Sequence, residues 1–247
     1  ENSYQEDGFK VGDQYEIRST THISDAYKSG DDSKLEEEDK ETLQMATDVL
    51  KKIIKEGMNN YEKELAVYRW MFKNVGQGQS TYVTLPGSSN SSAFTPHDAL
   101  SGQSTVCVGY ATTFRLFMNM LGMDCHIVHN EYHSWDLVQL DGDWYHVDIY
   151  SDVHGVMYGN FNMTDEVCES GHNWDQSALP EASSVKYSPA VQNAMPVEDI
   201  YGVPATLKSA MDEREQNKDS ANSVFFFSFT TPLTEDGMSA AEYLANY

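Results

Sequence analysis

Residues 133–148 read HSWDLVQLDGDWYHVD, and this stretch decides the fold prediction. Asp141-Gly142 separates two strand-like segments and is the strongest short-range signal for a two-residue type I′ hairpin. If the residues that flank this turn pair with each other, Asp148 becomes the diagonal neighbour of His133 on one face of the sheet. Diagonal Cα atoms lie about 7–8 Å apart, within side-chain reach. The sequence therefore predicts that His133 and Asp148 meet.

This predicted contact has a chemical consequence. A carboxylate that accepts one imidazole N–H fixes the tautomer, raises the basicity of the ring and leaves the other nitrogen for a thiol. A slip of one residue in strand pairing would place His133 and Asp148 on opposite faces. A purely structural role for His133 stays open, as does the role of His146, which shares its sheet face.

A candidate nucleophile precedes the hairpin. Apolar residues at helical spacing predict a helix that begins near Cys107 and ends at Gly122. Ser104 and Thr105 are candidate caps, so the thiol would lie in the first turn, where the helix dipole favours a thiolate. The alternative is a buried cysteine that only packs.

The chain has two other cysteines, Cys125 and Cys168. The first lies within a predicted strand and the second in an irregular acidic stretch, so we expect both to pack. Three cysteines cannot all pair, so the sequence predicts at least one free thiol and no disulfide framework.

Three short motifs carry a resemblance to a known family. They read CVGYA at 107–111, HSWDLV at 133–138 and DGDWYHVD at 141–148. In this order they resemble the transglutaminase-like superfamily, in a bacterial branch often described as cysteine proteases. The resemblance is closest over residues 97–152. It also includes the HNWD sequence at 172–175, which looks like a recurring element of these proteins.

The resemblance implies both a fold and a set of catalytic residues. The implied fold is α+β and papain-like, with the nucleophile helix packed on an antiparallel sheet. Cys107 would be the nucleophile, His133 the general base and acid, and Asp148 the residue that orients the imidazole.

The chain departs from the family pattern at three places. Asp136 stands where the family commonly has Asn, and Tyr150-Ser151 replaces a frequent Thr-Trp. The connection from Cys107 to His133 is short and has an unusual sequence at 129–132. Because the three implied catalytic residues are intact, we expect these departures to affect substrate choice more than chemistry.

The implied activity is acyl transfer on peptide or carboxamide bonds. Hydrolysis, as in a cysteine peptidase or amidase, is the leading hypothesis, and cross-linking by a transglutaminase is its alternative. A non-catalytic cell-surface binding module that retains the fold is a third possibility. An acetyltransferase that acts on arylamines fits less well, since the acidic chain would repel the phosphates of coenzyme A.

Four aromatic residues are candidate substrate contacts. Phe94 and His97 belong to the long polar loop predicted over residues 76–104, which leads to the nucleophile. Trp135 and Tyr110 border the expected site, although packing in the core is the alternative for both.

No cofactor or metal is expected. His129, Glu131 and His133 resemble a helical zinc motif, but four residues of a strand span about 13 Å, too far for one tetrahedral ion.

Composition limits the partners. The 247 residues include 16 basic and 39 acidic side chains, for a net charge of −23. Such a surface repels nucleic acid and anionic lipid. The expected partner, a peptide or protein substrate, is what the family resemblance implies. No apolar run reaches the roughly 18 residues of a membrane span. The polar beginning without a leader is typical of a chain from which a signal or lipid anchor was removed, and equally of any truncated domain; with the acidic surface, the first interpretation predicts an extracellular or cell-surface location.

The chain is expected to form one domain with three parts. Residues 1–40 would be a strand and an acidic lead-in, and residues 41–180 the catalytic core. Residues 181–247 would complete the domain as a helix, a strand near 223–230 and a helix near 238–247.

Overall fold

The structure is a computed structural model, and it describes residues 4–78, 93–216 and 224–230. The helices are α1 Thr21–Ser29, α2 Glu37–Ile53, α3 Asn60–Asn74, α4 Pro96–Leu100, α5 Cys107–Met120, α6 Ile149–His154, α7 Asp165–Cys168, α8 Pro189–Gln192 and α9 Val203–Gln216. The strands are β1 Lys10–Val11, β2 Tyr15–Glu16, β3 Gly76–Gln77, β4 Ser104–Thr105, β5 Cys125–His129, β6 Ser134–Leu140, β7 Asp143–Val147, β8 Ala194–Val197 and β9 Phe226–Phe229. Two 3₁₀ turns lie at Gln176–Ala178 and Ile200–Gly202.

The centre of the fold is an antiparallel sheet in the order β5-β6-β7. Leu140 pairs with Asp143 around the turn, which is the predicted register. Asp141 and Gly142 have φ angles of 52° and 95°, and a type I′ turn requires positive φ at both positions. The hairpin prediction is confirmed.

Helix α5 packs against this sheet and carries the core. Phe114, Leu116 and Phe117 are fully buried, in a cluster that also includes residues of α2, α3 and β7. Helix α3 begins at a capping box, in which Asn59 and Glu62 exchange side-chain and backbone hydrogen bonds. The α+β class is therefore confirmed, and the helix that begins at Cys107 packs on an antiparallel sheet.

Several local predictions need correction. Residues 76–104 are not all loop, since they contain β3, α4 and β4; Thr95 and Asp98 form a capping box, with Pro96 at the first helical position. Residues 149–150 begin α6, because Asp148 caps that helix by accepting the Ser151 N–H. The acidic lead-in expected within residues 1–40 contains α1 and the start of α2.

Only some of the elements predicted for residues 181–247 lie among the described residues. The strand expected near 223–230 is β9, which pairs in parallel with β8, although Ser223 lies outside the described residues. The helix expected near 238–247 also lies outside them. None of the helices in the described part of the chain combines the length and apolar character that a membrane span requires.

Candidate active site

Cys107 is the first residue of α5, and only 1% of its surface is exposed. Val106 occupies the N-cap position, so Ser104 and Thr105 do not cap the helix as predicted. Instead both residues form β4, which pairs with β3. At the first turn of α5, the N–H groups have no partner within the helix, so they point toward any anion that forms there.

The sequence around Cys107 sets how the helix starts. The Thr105 hydroxyl donates to the Ala93 carbonyl at 2.6 Å, and its side chain folds onto the first turn of α5. A Cβ atom at position 109 would lie 1.9 Å from the Thr105 Oγ1, so only glycine fits there. Gly109 therefore allows the close approach that directs the chain from β4 into Cys107.

The N-terminal segment packs beside the thiol. Val11, Tyr15 and Ile17 share a buried apolar cluster with Cys107 and Ile127. The segment is also tied down by charge, because the buried Arg115 pairs with Glu6 at 2.9 Å and Asp7 at 3.0 Å. Sequence analysis assigned no role to these residues, since a short polar segment gives no sign of the surface it covers.

His133 and Asp148 meet as predicted. His133 Nε2 lies 2.7 Å from Asp148 Oδ2, and the His133 side chain is 23% exposed. The Cys107 thiol is near enough to the imidazole to help raise the pKa of His133. Since Asp148 engages Nε2, Nδ1 is the nitrogen left for the sulfur.

The electrostatics of the pair follow from this contact. Burial lowers the pKa of His133, but the charge and hydrogen bond of Asp148, with the contact to Cys107, outweigh it and raise the pKa to about 10. Burial raises the pKa of Asp148, yet the His133 charge and the hydrogen bonds from His133, His172 and Ser151 hold it far below its usual range. The geometry favours an imidazolium next to a carboxylate.

Asp148 binds more groups than a simple triad requires. Its Oδ2 lies 2.7 Å from His172 Nε2 and accepts the Ser151 hydroxyl at 2.6 Å, while Oδ1 accepts the Ser151 N–H at 2.9 Å. The Asp148 N–H donates to the Asn160 carbonyl at 2.8 Å. His172 is the site residue to which sequence analysis gave no role, although the HNWD element marked its position.

His133, Asp148 and His172 offer three ligand atoms within 4.8 Å of one another. Both nitrogens lie 2.7 Å from one carboxylate oxygen. Ligands bound to tetrahedral zinc at about 2.1 Å are separated by about 3.4 Å. These spacings therefore match hydrogen bonds better than a shared metal ion. His129, the other member of the helical zinc pattern, stacks on Phe9 at the end of β5.

The four candidate substrate contacts lie in different surroundings. Trp135 and Tyr110 are almost fully buried; Trp135 stacks on His133 with ring centroids 5.7 Å apart, and Tyr110 donates to the Val75 carbonyl. Both support the site from inside the core. Phe94 packs against the apolar cluster that contains Cys107, whereas His97 pairs with Glu41 of α2.

Asp136, which replaces the family's usual Asn, is 2% exposed. Burial raises its pKa well above the usual range, against the effect of the Arg115 charge. The Cys125 thiol is 3.6 Å from its carboxyl group. A neutral carboxyl group has nearly the shape and polarity of an asparagine amide, so the substitution preserves the local chemistry.

The other two cysteines are buried and free, as is Cys107. Burial raises the pKa of the Cys125 thiol and the pKa of the Cys168 thiol. Neither therefore becomes a thiolate near neutral pH, which agrees with a packing role for both.

Comparison with protein families matches residues 47–149 to a family model described as the Transglutaminase-like superfamily. This range contains α3, α5 and the whole sheet, and it ends one residue after Asp148. Members of the superfamily are generally cysteine-dependent acyltransferases or proteases. Comparison with curated proteins found no significant match.

Proposed function

Because residues 47–149 match the model of the Transglutaminase-like superfamily, we propose that this protein catalyses cysteine-dependent acyl transfer on peptide or carboxamide bonds. The proposed outcome is hydrolysis, as in a cysteine peptidase or amidase. One observation carries the proposal: the imidazole of His133 lies 2.7 Å from the Asp148 carboxylate through Nε2 and also interacts with the Cys107 thiol.

The geometry supports a two-stage mechanism. Before substrate binds, the Cys107 thiol has given its proton to Nδ1, so His133 is an imidazolium; the thiolate then attacks the substrate carbonyl to form a tetrahedral intermediate. The oxyanion is stabilised by N–H groups at the first turn of α5, including that of Cys107. Collapse releases the amine, which takes the proton from His133, and leaves a thioester on Cys107. Water activated by His133 then hydrolyses the thioester.

The position of Asp148 explains how His133 can do both steps. The carboxylate holds the hydrogen of the ring on Nε2, so Nδ1 can accept and return a proton. Asp148 also balances the positive charge of the imidazolium, which forms in a site that is largely removed from water. It keeps its own negative charge throughout, since its pKa lies far below its usual range.

The test is incubation with labelled casein and a fluorescent primary amine. Hydrolysis creates new peptide ends, whereas transamidation attaches the amine to casein. We expect new peptide ends, and neither product from the Cys107→Ala variant, whose melting temperature should match the wild type. Amine incorporation without new ends would show a transglutaminase. Equal activity in the Cys107→Ala variant would contradict the proposal.

A further inference from the structure

Asp148 receives hydrogen bonds from two imidazoles at one oxygen. His133 Nε2 and His172 Nε2 each lie 2.7 Å from Oδ2. With the two contacts from Ser151, Oδ2 receives three donors and Oδ1 receives one. A triad accounts for the first imidazole but not for the second.

The surroundings of His172 restrict its ring to the contact with Asp148. Its side chain is 6% exposed, and its ring lies 4.7 Å from the Trp135 ring. Its backbone N–H donates to the Cys168 carbonyl at 2.9 Å, which fixes the residue after α7. Within the described part of the chain, Nδ1 of His172 is buried without a hydrogen-bond partner. Among the described residues, the hydrogen bond to Asp148 is thus the one polar contact of the His172 ring.

The arrangement also defines the hydrogen that His172 carries. Contact with a carboxylate requires an N–H on Nε2, so this nitrogen donates to Oδ2 of Asp148. The hydrogen bond holds Oδ2 in place beside His133.

We infer that His172 is a positioning residue for the proposed reaction: it fixes Oδ2 of Asp148 in the orientation that receives Nε2 of His133. The inference rests on the proposed function. Ser151 contacts both carboxylate oxygens but comes from the same turn as Asp148, so it moves with that turn. His172 approaches from a separate segment, 24 residues further along the chain, and it lies outside the family match.

The role predicts a specific pattern of substitutions. His172→Leu keeps an apolar side chain in the buried site but removes the donor, so the carboxylate can rotate away from His133. His172→Gln keeps an N–H that can reach Oδ2. A surface pair provides the matched control, because His22 Nε2 lies 2.9 Å from Asp39 Oδ2 on exposed side chains. His22→Leu also removes a donor from an aspartate, but one that contacts neither His133 nor Asp148.

The experiment measures the rate at which iodoacetamide alkylates Cys107, by mass spectrometry of its peptide at about pH 6, where an ordinary thiol is almost entirely protonated. Misplaced catalytic groups commonly cost one to two orders of magnitude, so we expect His172→Leu to slow alkylation by about 10-fold or more. His172→Gln should restore at least about half the wild-type rate, and His22→Leu should equal the wild type. Melting temperatures are recorded for all variants.

Two results would overturn the inference. One is a wild-type rate in His172→Leu. The other is a slow rate in both His172 variants that follows their loss of folded protein, which would indicate a structural role alone. A wild-type protein that alkylates no faster than free cysteine would instead contradict the proposed function, so the two failures are distinguishable.

Discussion

Two histidine–aspartate pairs lie side by side in this molecule, and they differ in what the second ring nitrogen does. His133 Nε2 lies 2.7 Å from Asp148, and His146 Nε2 lies 2.8 Å from Asp165. In the first pair, Nδ1 is left for the Cys107 thiol. In the second, His146 Nδ1 accepts the Trp135 indole N–H at 3.0 Å. The His133 imidazole is therefore available for proton transfer, whereas both ring nitrogens of His146 already form hydrogen bonds within the fold.

Burial separates the two pairs as well. His146 is completely buried, and burial lowers its pKa despite Asp165. His133 retains 23% exposure, and its pKa is raised to about 10. A carboxylate partner is therefore not enough to identify a catalytic histidine. The decisive feature is a ring nitrogen that faces a reactive group instead of the protein's own donors.

The largest expected effect comes from changing each histidine to the same residue. His133→Gln should reduce hydrolysis of labelled casein by about 10²–10⁴-fold, the usual contribution of general acid–base catalysis, with the fold retained. His146→Gln should keep most activity per folded molecule but lower the free energy of unfolding by about 1–3 kcal/mol, because buried polar groups lose partners. Activity and urea unfolding are measured on both. The reverse pattern would show that the assignment of the two pairs is wrong.

The carboxylates should show the same contrast with a smaller effect. Asp148→Asn can no longer favour the imidazolium, so casein hydrolysis should fall by about 10²-fold or more. Asp165→Asn should lower the melting temperature and leave the rate per folded molecule nearly unchanged. Steady-state rates normalised to folded protein check this pair. Similar rates in the two variants would contradict the assignment of Asp148 to the reaction and of Asp165 to the fold.

The pH dependence of stability provides a third comparison. The folded pKa of His133 is about 10, against about 6.5 in an unfolded chain. Its contribution to stability is therefore complete below about pH 6.5 and is lost as the pH rises toward 10, by at most about 1.4 kcal/mol per pH unit. Asp148, with a lowered pKa, contributes above about pH 4 and loses its contribution in more acidic solution.

Urea unfolding of the wild type and His133→Gln, measured from about pH 6 to pH 10, isolates this term. Other titrating groups are present in both proteins and cancel in the difference. We expect the stability difference between them to shrink as the pH rises. A difference that stays constant over this range would contradict a stabilising imidazolium–carboxylate pair.

The smallest effect should come from the residue between the two pairs. Trp135 donates to His146 and stacks on His133. Trp135→Phe keeps an aromatic ring but leaves His146 Nδ1 unsatisfied, at a cost of about 1–3 kcal/mol in unfolding free energy. Casein hydrolysis should fall only a few-fold. A loss as large as that of His133→Gln would instead make Trp135 part of the reaction.

The contact between His133 and Asp148 could be predicted from the sequence because the interactions that create it are local. Asp141-Gly142 specifies the turn, the turn specifies the register, and the register brings His133 to Asp148. The helix that carries Cys107 follows from apolar periodicity in the same way. Each step depends on neighbours in the chain or on a single strand pairing.

The remainder depends on contacts that periodicity does not encode. His172 reaches Asp148 through an irregular segment, and the N-terminal residues pack on Cys107 from at least 90 positions away in the chain. The start of α6 was missed because Asp148 has two roles, as a cap and as the partner of His133. The signal for that helix was the Asp148–Ser151 spacing of an N-cap.

The most direct test of the account is the pH profile of Cys107 alkylation by iodoacetamide in the wild type and His133→Gln. Cys125 and Cys168 should not contribute, because burial raises the pKa of both thiols. We predict that wild-type Cys107 reacts much faster than free cysteine at about pH 6, and that His133→Gln abolishes this advantage. Equal profiles for the two proteins, both rising only near pH 8.5 as an ordinary thiol does, would contradict the central claim.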